Sequence, residues 1–491
     1  MLRKIRITLA ALCFIGITLL LAGIGRGWFG WEAKLQMLPA TLRLIGSATL
    51  GNIAVVLGIL LVTLLVGRCY CAIICPLGVF QDVVIWLRKA AASVQETLYK
   101  ARLKRLRAQG VTPLPRLKSI RKKFRFNKER SWVRYPVAAL VIACIIFDLQ
   151  LVVTLIEPYS AYGRMISGIV GGGPAPLLIA AAVTCVVIAL CAWIWGRAWC
   201  NTICPVGSIL GCVSRFQLFG VRVDEDKCTK CGTCATACKS SCIDSPSGKI
   251  DYSRCVNCFD CIGNCKQGAI SFGRTRRGPV QAAAEEKAGR RQFLATGALL
   301  LGTGIAASAQ NMKVDGGLAA VEPKQPLERK PRLVPPGAGS ADSFYDKCTA
   351  CQLCIQHCPN GVLRPSTDLE HLLQPQMGYE KGYCRPECTA CSEVCPSGAI
   401  VKVHRDAKTL IRIGTAVVNP FICFAAEGKE SCGNCARHCP TGAIEMMEVE
   451  GIRRPVVAEE QCIGCGRCEY LCPVRPISAI TVKGLQTHIS K

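Results

Sequence analysis

The apolar positions of this chain fall into two regimes. Up to about residue 215 they form long runs, and beyond it they are short returns between cysteine-dense loops. Four runs, approximately Ile5–Ile24, Ile45–Val66, Val137–Ile156 and Leu177–Trp195, match the length a helix needs to cross a hydrocarbon core of roughly 30 Å. They predict a four-helix transmembrane bundle over residues 1–215. Residues 88–134 carry 16 Lys and Arg against two Glu, which predicts a cytoplasmic loop between the helix pairs. The N-terminus (Arg3, Lys4, Arg6) and the chain after Trp195 then share that side. Each helix pair closes on the same motif, GRCYCAIICPLG at residues 67–78 and GRAWCNTICPVG at residues 196–207. The bundle is therefore expected to be pseudo-symmetric, with Cys71, Cys75, Cys200 and Cys204 at one membrane face. Cys13, Cys144, Cys185 and Cys191 lie within apolar helices and are expected to pack there.

Charge and composition sharpen this picture. The chain has 491 residues, 35 of them Cys, and a formal net charge of +27. Residues 1–310 hold 39 Lys and Arg against 14 Asp and Glu, whereas residues 311–491 are nearly balanced. A basic chain suits nucleic acid or a membrane surface. The apolar runs favour the membrane, and no nucleic-acid-reading motif is visible. All five histidines lie beyond residue 356 and no CxxCH occurs, so neither c-type haem nor a bis-histidine haem in the membrane is expected.

The cysteines carry the chemistry. C-x2-C-x2-C-x3-C occurs at Cys228, Cys231, Cys234, Cys238; at Cys255, Cys258, Cys261, Cys265; at Cys348, Cys351, Cys354, Cys358; and at Cys462, Cys465, Cys468, Cys472. Two variants intervene, Cys384, Cys388, Cys391, Cys395 and Cys423, Cys432, Cys435, Cys439. Three thiolates in a tight loop hold three irons of a cubane, and the fourth turns away to a neighbouring cluster. Structural zinc favours separated pairs instead. These 24 cysteines predict six [4Fe–4S] clusters in α+β ferredoxin-like modules, one of two clusters (residues 216–273) and one of four (residues 341–491). Cross-ligation in the first module is expected to join Cys265 to Cys228, Cys231 and Cys234, and Cys238 to Cys255, Cys258 and Cys261. Pro359, Pro396, Pro440 and Pro473 follow the last cysteines of the second module, whereas Lys239 and Lys266 stand there in the first. Each lysine either raises a cluster potential or is a solvated surface group.

Between the modules, residues 274–340 read as a linker. GRRQFLATGALLLGTGIAASAQ, Gly289–Gln310, has paired arginines, a short apolar run and Ala307-Ser308-Ala309, the form of a twin-arginine export signal. Iron–sulphur modules fold in the cytoplasm and cross folded, so the stretch at 290–310 is expected to serve as a fifth helix or a cleavage site. It marks the join of two once-separate proteins.

At this point the motifs match a known family. The first 275 residues resemble NapH-type quinol dehydrogenase membrane subunits, with four helices, two Cys-x3-Cys-Pro motifs and a two-cluster tail. Residues from about 289 resemble the NapG/MauM-type exported polyferredoxin. The resemblance implies a multi-pass inner-membrane protein that oxidises quinol from the membrane pool and reduces a periplasmic redox protein, such as a nitrate reductase system. It also implies pairing of the outer runs with each other, and of the inner runs with each other, in the four-cluster module. Cys71, Cys75, Cys200 and Cys204 hold a seventh cluster, form redox disulfides or shape a quinol pocket. Asp148 and Glu157 are the candidate proton acceptors, since an acid within a membrane helix is a functional candidate. Two other readings stand beside this one: a maturation or regulatory ferredoxin for a periplasmic metalloenzyme, and electron export from a cytoplasmic donor docking at Lys239 and Lys266.

Overall fold

The computed structural model describes residues 1–24, 31–46, 50–109, 124, 126, 131–146, 156–170, 175–275 and 314–490, apart from 316–318, 321, 367, 429 and 450. Asp148 and the export-like stretch 289–310 lie outside the described residues. The helical part comprises α1 (Leu2–Leu21), α2 (Met37–Gly46), α3 (Leu50–Val66), α4 (Pro76–Ala108), α5 (Ser131–Ile146), α6 (Pro158–Val170), α7 (Ala175–Trp195) and α8 (Pro205–Ser214). Two helices are long and apolar enough to cross a membrane, Leu2–Leu21 and the stretch Leu178–Trp195 of α7. Along both, large apolar side chains such as Leu12, Ile15, Ile179, Val186 and Leu190 stand exposed rather than packed. α3 is a shorter apolar helix that likewise exposes Leu50, Leu57 and Leu61.

Two elements depart from the simple bundle. The basic stretch after the first motif is largely one 33-residue helix, α4, whose start packs inside the structure through Leu77 and Ile85. The segment after Ile156 does not leave the protein. α6 turns back into it and buries Tyr159, Ala161, Tyr162, Arg164 and Met165. Glu157 is buried ahead of α6, and its carboxylate accepts a hydrogen bond from the backbone N–H of Ser160. That contact satisfies a donor left free at the helix N-terminus.

The first ferredoxin module is a minimal α+β unit. Strands β1 (Phe219–Val223) and β2 (Ile270–Arg274) pair antiparallel, from Phe219 opposite Arg274 to Val223 opposite Ile270. They close over the cysteine loops, and Val221, Ile243 and Ile270 form the core with the thiols. The second module repeats the plan twice. Strands β3 (Leu363–Pro365) and β4 (Pro375–Met377) form one hairpin, and β6 (Ile444–Val449) and β7 (Ile452–Val457) another. The longer β5 (Ile411–Val418) and β8 (Ile480–Ser490) join distant parts of the module in an antiparallel pair.

The two modules sit at opposite ends of the helices. α1 meets the first module at Arg3, which pairs with Asp260 at 3.0 Å. Its other end, Leu21, shares a core with Leu353 of the second module. α5 does the same: Arg134 donates to Ser253 Oγ at 3.4 Å, while Cys144 packs with Ala350, Leu372 and Leu373. Twenty residues of α1 at 1.5 Å rise separate the modules by about 30 Å, the thickness of a hydrocarbon core.

Candidate functional site

In the four regular loops the backbone follows one pattern. The residue before the second cysteine has positive φ in each (Lys230, Asn257, Ala350, Gly464), and so does the residue after it (Gly232, Phe259, Gln352, Gly466). Left-handed conformation costs a non-glycine residue about 1–2 kcal/mol. Five non-glycine residues nevertheless adopt it here. Such turns aim successive N–H groups inward and make a cradle for an anion. A cubane held by four thiolates is one.

The thiols of the runs line cavities in sets of four, with the extra Cys242 joining one of them. Cys238, Cys255, Cys258 and Cys261 surround one, and Cys228, Cys231, Cys234 and Cys265 another. The fourth cysteine of each run thus crosses to the neighbouring run. In the second module Cys358 joins Cys384, Cys388 and Cys391, and Cys472 joins Cys423, Cys432 and Cys435. Cys348 and Cys354 share a core with Cys395, and Cys462 and Cys468 share one with Cys439. The structure therefore brings together adjacent runs, not the outer with the outer and the inner with the inner. The reason is local: each pair of runs folds as one ferredoxin unit around its own hairpin. The two units touch where the Cys384 N–H donates to the Cys465 carbonyl at 2.9 Å. Among the described residues no three His, Cys, Asp or Glu converge as a single metal ion requires. The cysteines ring cavities instead, the arrangement a polynuclear cluster needs, so the donor set fits [4Fe–4S].

The remaining motif cysteines also meet. Cys71, Cys75, Cys200 and Cys204 are each 4% exposed. Burial, and then the neighbouring Cys71 and Cys200, push the Cys75 thiol well above its ordinary value; burial and then Cys200 do the same to Cys204. Each Cys-Pro step begins a helix, α4 at Pro76 and α8 at Pro205, where proline lacks only an N–H that would be unbonded anyway. Both helix N-termini therefore face the thiols and favour negative charge there. The repeat is visible at atomic level. Arg68 donates to the Cys200 carbonyl at 3.0 Å, and Arg197 to the Cys71 carbonyl at 2.8 Å. A Cβ on Gly78 would stand 2.2 Å from the Cys71 oxygen, and one on Gly207 1.9 Å from the Cys200 oxygen. Only glycine lets each helix approach so closely.

Several residues behave otherwise than the sequence suggested. Lys239 is buried between Asp82 (3.1 Å) and Asp260 (3.3 Å), so it is neither a solvated group nor free to dock a donor. Lys266 is exposed. Asp82 escaped notice in the sequence, since one of two acids on a basic helix carries no signal. It pairs with Arg6 at 2.8 Å and Arg197 at 2.9 Å. Burial alone would raise Asp82, but Arg197, Lys239 and Arg6 outweigh it and hold the carboxyl well below the usual range. Lys408 was also missed; its Nζ donates to Cys384 Sγ at 3.3 Å. Cys242 Sγ lies 3.4 Å from Cys238 Sγ and lines the same cavity.

Repeated cysteine cradles around antiparallel hairpins define a polyferredoxin. Sequence comparison agrees. A 4Fe-4S binding domain matches residues 49–95 and 175–223, a second model of that description matches residues 221–244 and 344–364, and a 4Fe-4S dicluster domain matches residues 430–475. The ferredoxin-type protein NapF of Escherichia coli (strain K12) is 30% identical over 155 residues, covering 31% of this chain and 87% of NapF. The methylamine utilization ferredoxin-type protein MauM of Paracoccus denitrificans (strain Pd 1222) is 32% identical over 159 residues, covering 30% of this chain and 68% of MauM. Ferredoxin-type protein NapG of E. coli (strain K12) is 33% identical over 142 residues, 26% of this chain, which spans 59% of NapG's length. No solved structure matches. The chain belongs to the Nap- and Mau-type ferredoxin-type proteins: it is an iron–sulphur electron-transfer protein with multiple 4Fe-4S binding domains.

Proposed function

We propose that the chain is a membrane-bound relay that takes electrons from quinol and delivers them to a redox protein on the far side of the membrane. Residues 1–215 form the membrane domain, residues 216–273 a cytoplasmic two-cluster module, residues 274–340 a linker that crosses near 290–310, and residues 341–491 an outer four-cluster module. The 24 cysteines of the six runs hold six [4Fe–4S] clusters, and Cys71, Cys75, Cys200 and Cys204 hold a seventh.

One observation carries this reading. A single buried core contains Cys71, Cys75 and Cys204, Tyr159 of α6 and Cys351 of the second module, with Cys258 of the first module packed against it. Thiols of both modules and of the membrane motif thus adjoin one continuous packed interior. That supports a path from one side to the other, for which the sequence alone offered no carrier. Clusters at these positions supply single-electron transfer. The chain's own part is to hold the thiols dry and fixed, with Arg68 and Arg197 fully buried to balance the negative charge of a thiolate-bound cluster. Each quinol releases two electrons, which leave singly, and two protons, which pass to water.

The test is anaerobic purification in detergent, with iron quantified and the clusters followed by electron paramagnetic resonance as a menaquinol or ubiquinol analogue is added. The expected result is quinol-dependent signals and about 28 iron atoms per chain, seven cubanes of four. A count of about 24 removes the membrane cluster. Clusters that reduce with dithionite but not with quinol overturn the relay. Loss of partner maturation on deletion would then favour the maturation reading, and reduction by a soluble cytoplasmic ferredoxin the export reading.

A further inference from the structure

The proposed function leaves the quinol without a place. Asp148 lies outside the described residues and Glu157 is spent capping α6, so neither supplies one. A cleft of about 410 Å³ opens between α1 and α4 and ends against the first module, within the range of small-molecule sites. Its walls are apolar. Ala10 and Ile85 form a buried floor, Phe14 and Val79 line the sides, and Ile15 and Trp86 stand at an exposed rim continuous with the outward apolar surface of α1. An apolar molecule dissolved in the bilayer can enter from the side.

The end against the first module is polar and carries both signs: the cations Arg3, Arg6, Lys89 and Lys239 and the carboxylates Asp82 and Asp260. Arg6 is 7% exposed, and its Nε has no hydrogen-bond partner among the described residues, so a ligand oxygen would satisfy it. Lys239 directly follows Cys238, and Asp260 lies between Cys258 and Cys261, three of the five thiols around one cavity. Whatever head group occupies the end of the cleft is therefore adjacent to that set of cysteines.

Resting on the relay reading, we infer that this cleft is the quinol site, with the isoprenoid tail along α1 and α4 and the ring at the Arg6–Asp82–Lys239 end. The signs of the end wall select the occupant. A phospholipid phosphate presents only acceptors, which the four cations could meet but which offer nothing to Asp82 and Asp260. A quinol ring presents hydroxyls that donate to a carboxylate, and once oxidised presents carbonyls that accept from Arg6 and Lys239. Oxidation here breaks two O–H bonds; the electrons go singly to the clusters and the protons to water beside the exposed Arg3 and Lys89. The electrons then enter at the Cys258 side and leave through the Cys351 side.

The experiment uses the full chain with its clusters and a photoactivatable short-chain azidoquinone, mapped by peptide mass spectrometry. Label is expected on residues 7–15 and 79–86. Ala11→Trp and Val83→Trp, at exposed or half-exposed positions on opposite walls, are expected to cut labelling at least ten-fold while iron content and dithionite-reducible clusters stay at wild-type levels. Label that maps elsewhere, or that persists in both variants, overturns the site. So does displacement of the probe by phosphatidylglycerol and not by excess unlabelled quinone, which would make the cleft a lipid site. Quinol-driven reduction that survives both variants sinks the site and leaves the relay standing. Labelling of the cleft without any reduction of the wild type sinks the relay and leaves the site.

Discussion

The two ferredoxin modules use the same loops yet attach to the helices by opposite means. The first is held by charge: the buried Lys239 bridges Asp82 and Asp260, Arg6 and Arg197 pair with Asp82 inside, and the exposed Arg3 and Lys89 reach Asp260 from the rim. The second is held by apolar contact: Leu353 reaches Leu21 and Tyr159, and Ala350, Leu372 and Leu373 meet Val141 and Cys144. Buried ion pairs fix geometry but are fragile when one partner is lost. Apolar faces tolerate adjustment and lose stability in proportion to what is removed. The difference suggests that the first module must be placed to within a hydrogen bond, because the cleft is built partly from its own Lys239 and Asp260. The second needs only to bring its nearest thiols to the helical core.

The sharpest way to break the comparison is to cut what lies between. The double substitution Cys71→Ser, Cys200→Ser removes one thiol from each half of the repeat while leaving both docking faces intact. Electron transfer from first-module to second-module clusters, timed by freeze-quench resonance after quinol addition, is expected to fall at least 100-fold. Iron is expected to drop by about four per chain. Unchanged rates would show that Tyr159 and the packed interior suffice without a metal centre.

Next is the charged interface. Asp82→Asn leaves Arg197 and Lys239 buried without their shared carboxylate, and breaking a buried pair in this way costs about 3–5 kcal/mol. The expected outcome is a lowered unfolding midpoint in detergent and rapid proteolysis between α8 and β1, with the second module unaffected. The wild type has a matching pH dependence. The Asp82 carboxyl is held below its unfolded value, so its contribution is complete above the ordinary carboxylate range and is lost as pH falls through the depressed folded value. Asp82→Asn should abolish that acid limb.

How much of this was legible beforehand follows from what each interaction demands of the sequence. The cysteine loops were readable because a cubane forces a fixed spacing, and the crossing of the fourth cysteine in the first module was readable for the same reason. The four motif thiols Cys71, Cys75, Cys200 and Cys204 were readable as a repeat, since GRCYCAIICPLG and GRAWCNTICPVG are equivalent. The pairing of runs in the second module was not, because the same spacing recurs in every run and only the short hairpins β3/β4 and β6/β7, each lying between two adjacent runs, decide which runs fold together. Nor was α6, a short stretch beyond the span ending at Ile156, whose mixed polar and apolar residues are buried nearly all round by elements from elsewhere in the chain. Asp82 was invisible because its importance lies wholly in three cations brought from elsewhere.

The apolar interface gives a smaller effect. Leu353 is fully buried against Gly163 and Leu21, and Leu353→Ala is expected to cost about 2–4 kcal/mol through lost transfer and cavity terms. Because neighbouring side chains can close partly around the gap, inter-module electron transfer should slow by no more than about ten-fold, against the far larger loss expected from the thiol pair. Equal losses would mean that the apolar face is as exacting as the charged one, and the contrast between the modules would collapse.

The smallest effect separates the modules by pH alone. His488 on β8 lies beside the second module's own fold, where its backbone N–H donates to the Gly339 carbonyl at 2.7 Å. Its two ring nitrogens are buried with no hydrogen-bond partner among the described residues, and burial pushes the imidazole down to about 4. A histidine held below its unfolded value disfavours the folded state once the unfolded chain can take up a proton. Stability of the second module should therefore decline as pH falls below about 6.5 and level off near about 4, by at most about 3 kcal/mol. His488→Gln removes the titration, so hydrogen exchange of β5 and β8 should become flat across that window. The first module contains no histidine, and its exchange should not change over the same range until its carboxylates begin to protonate.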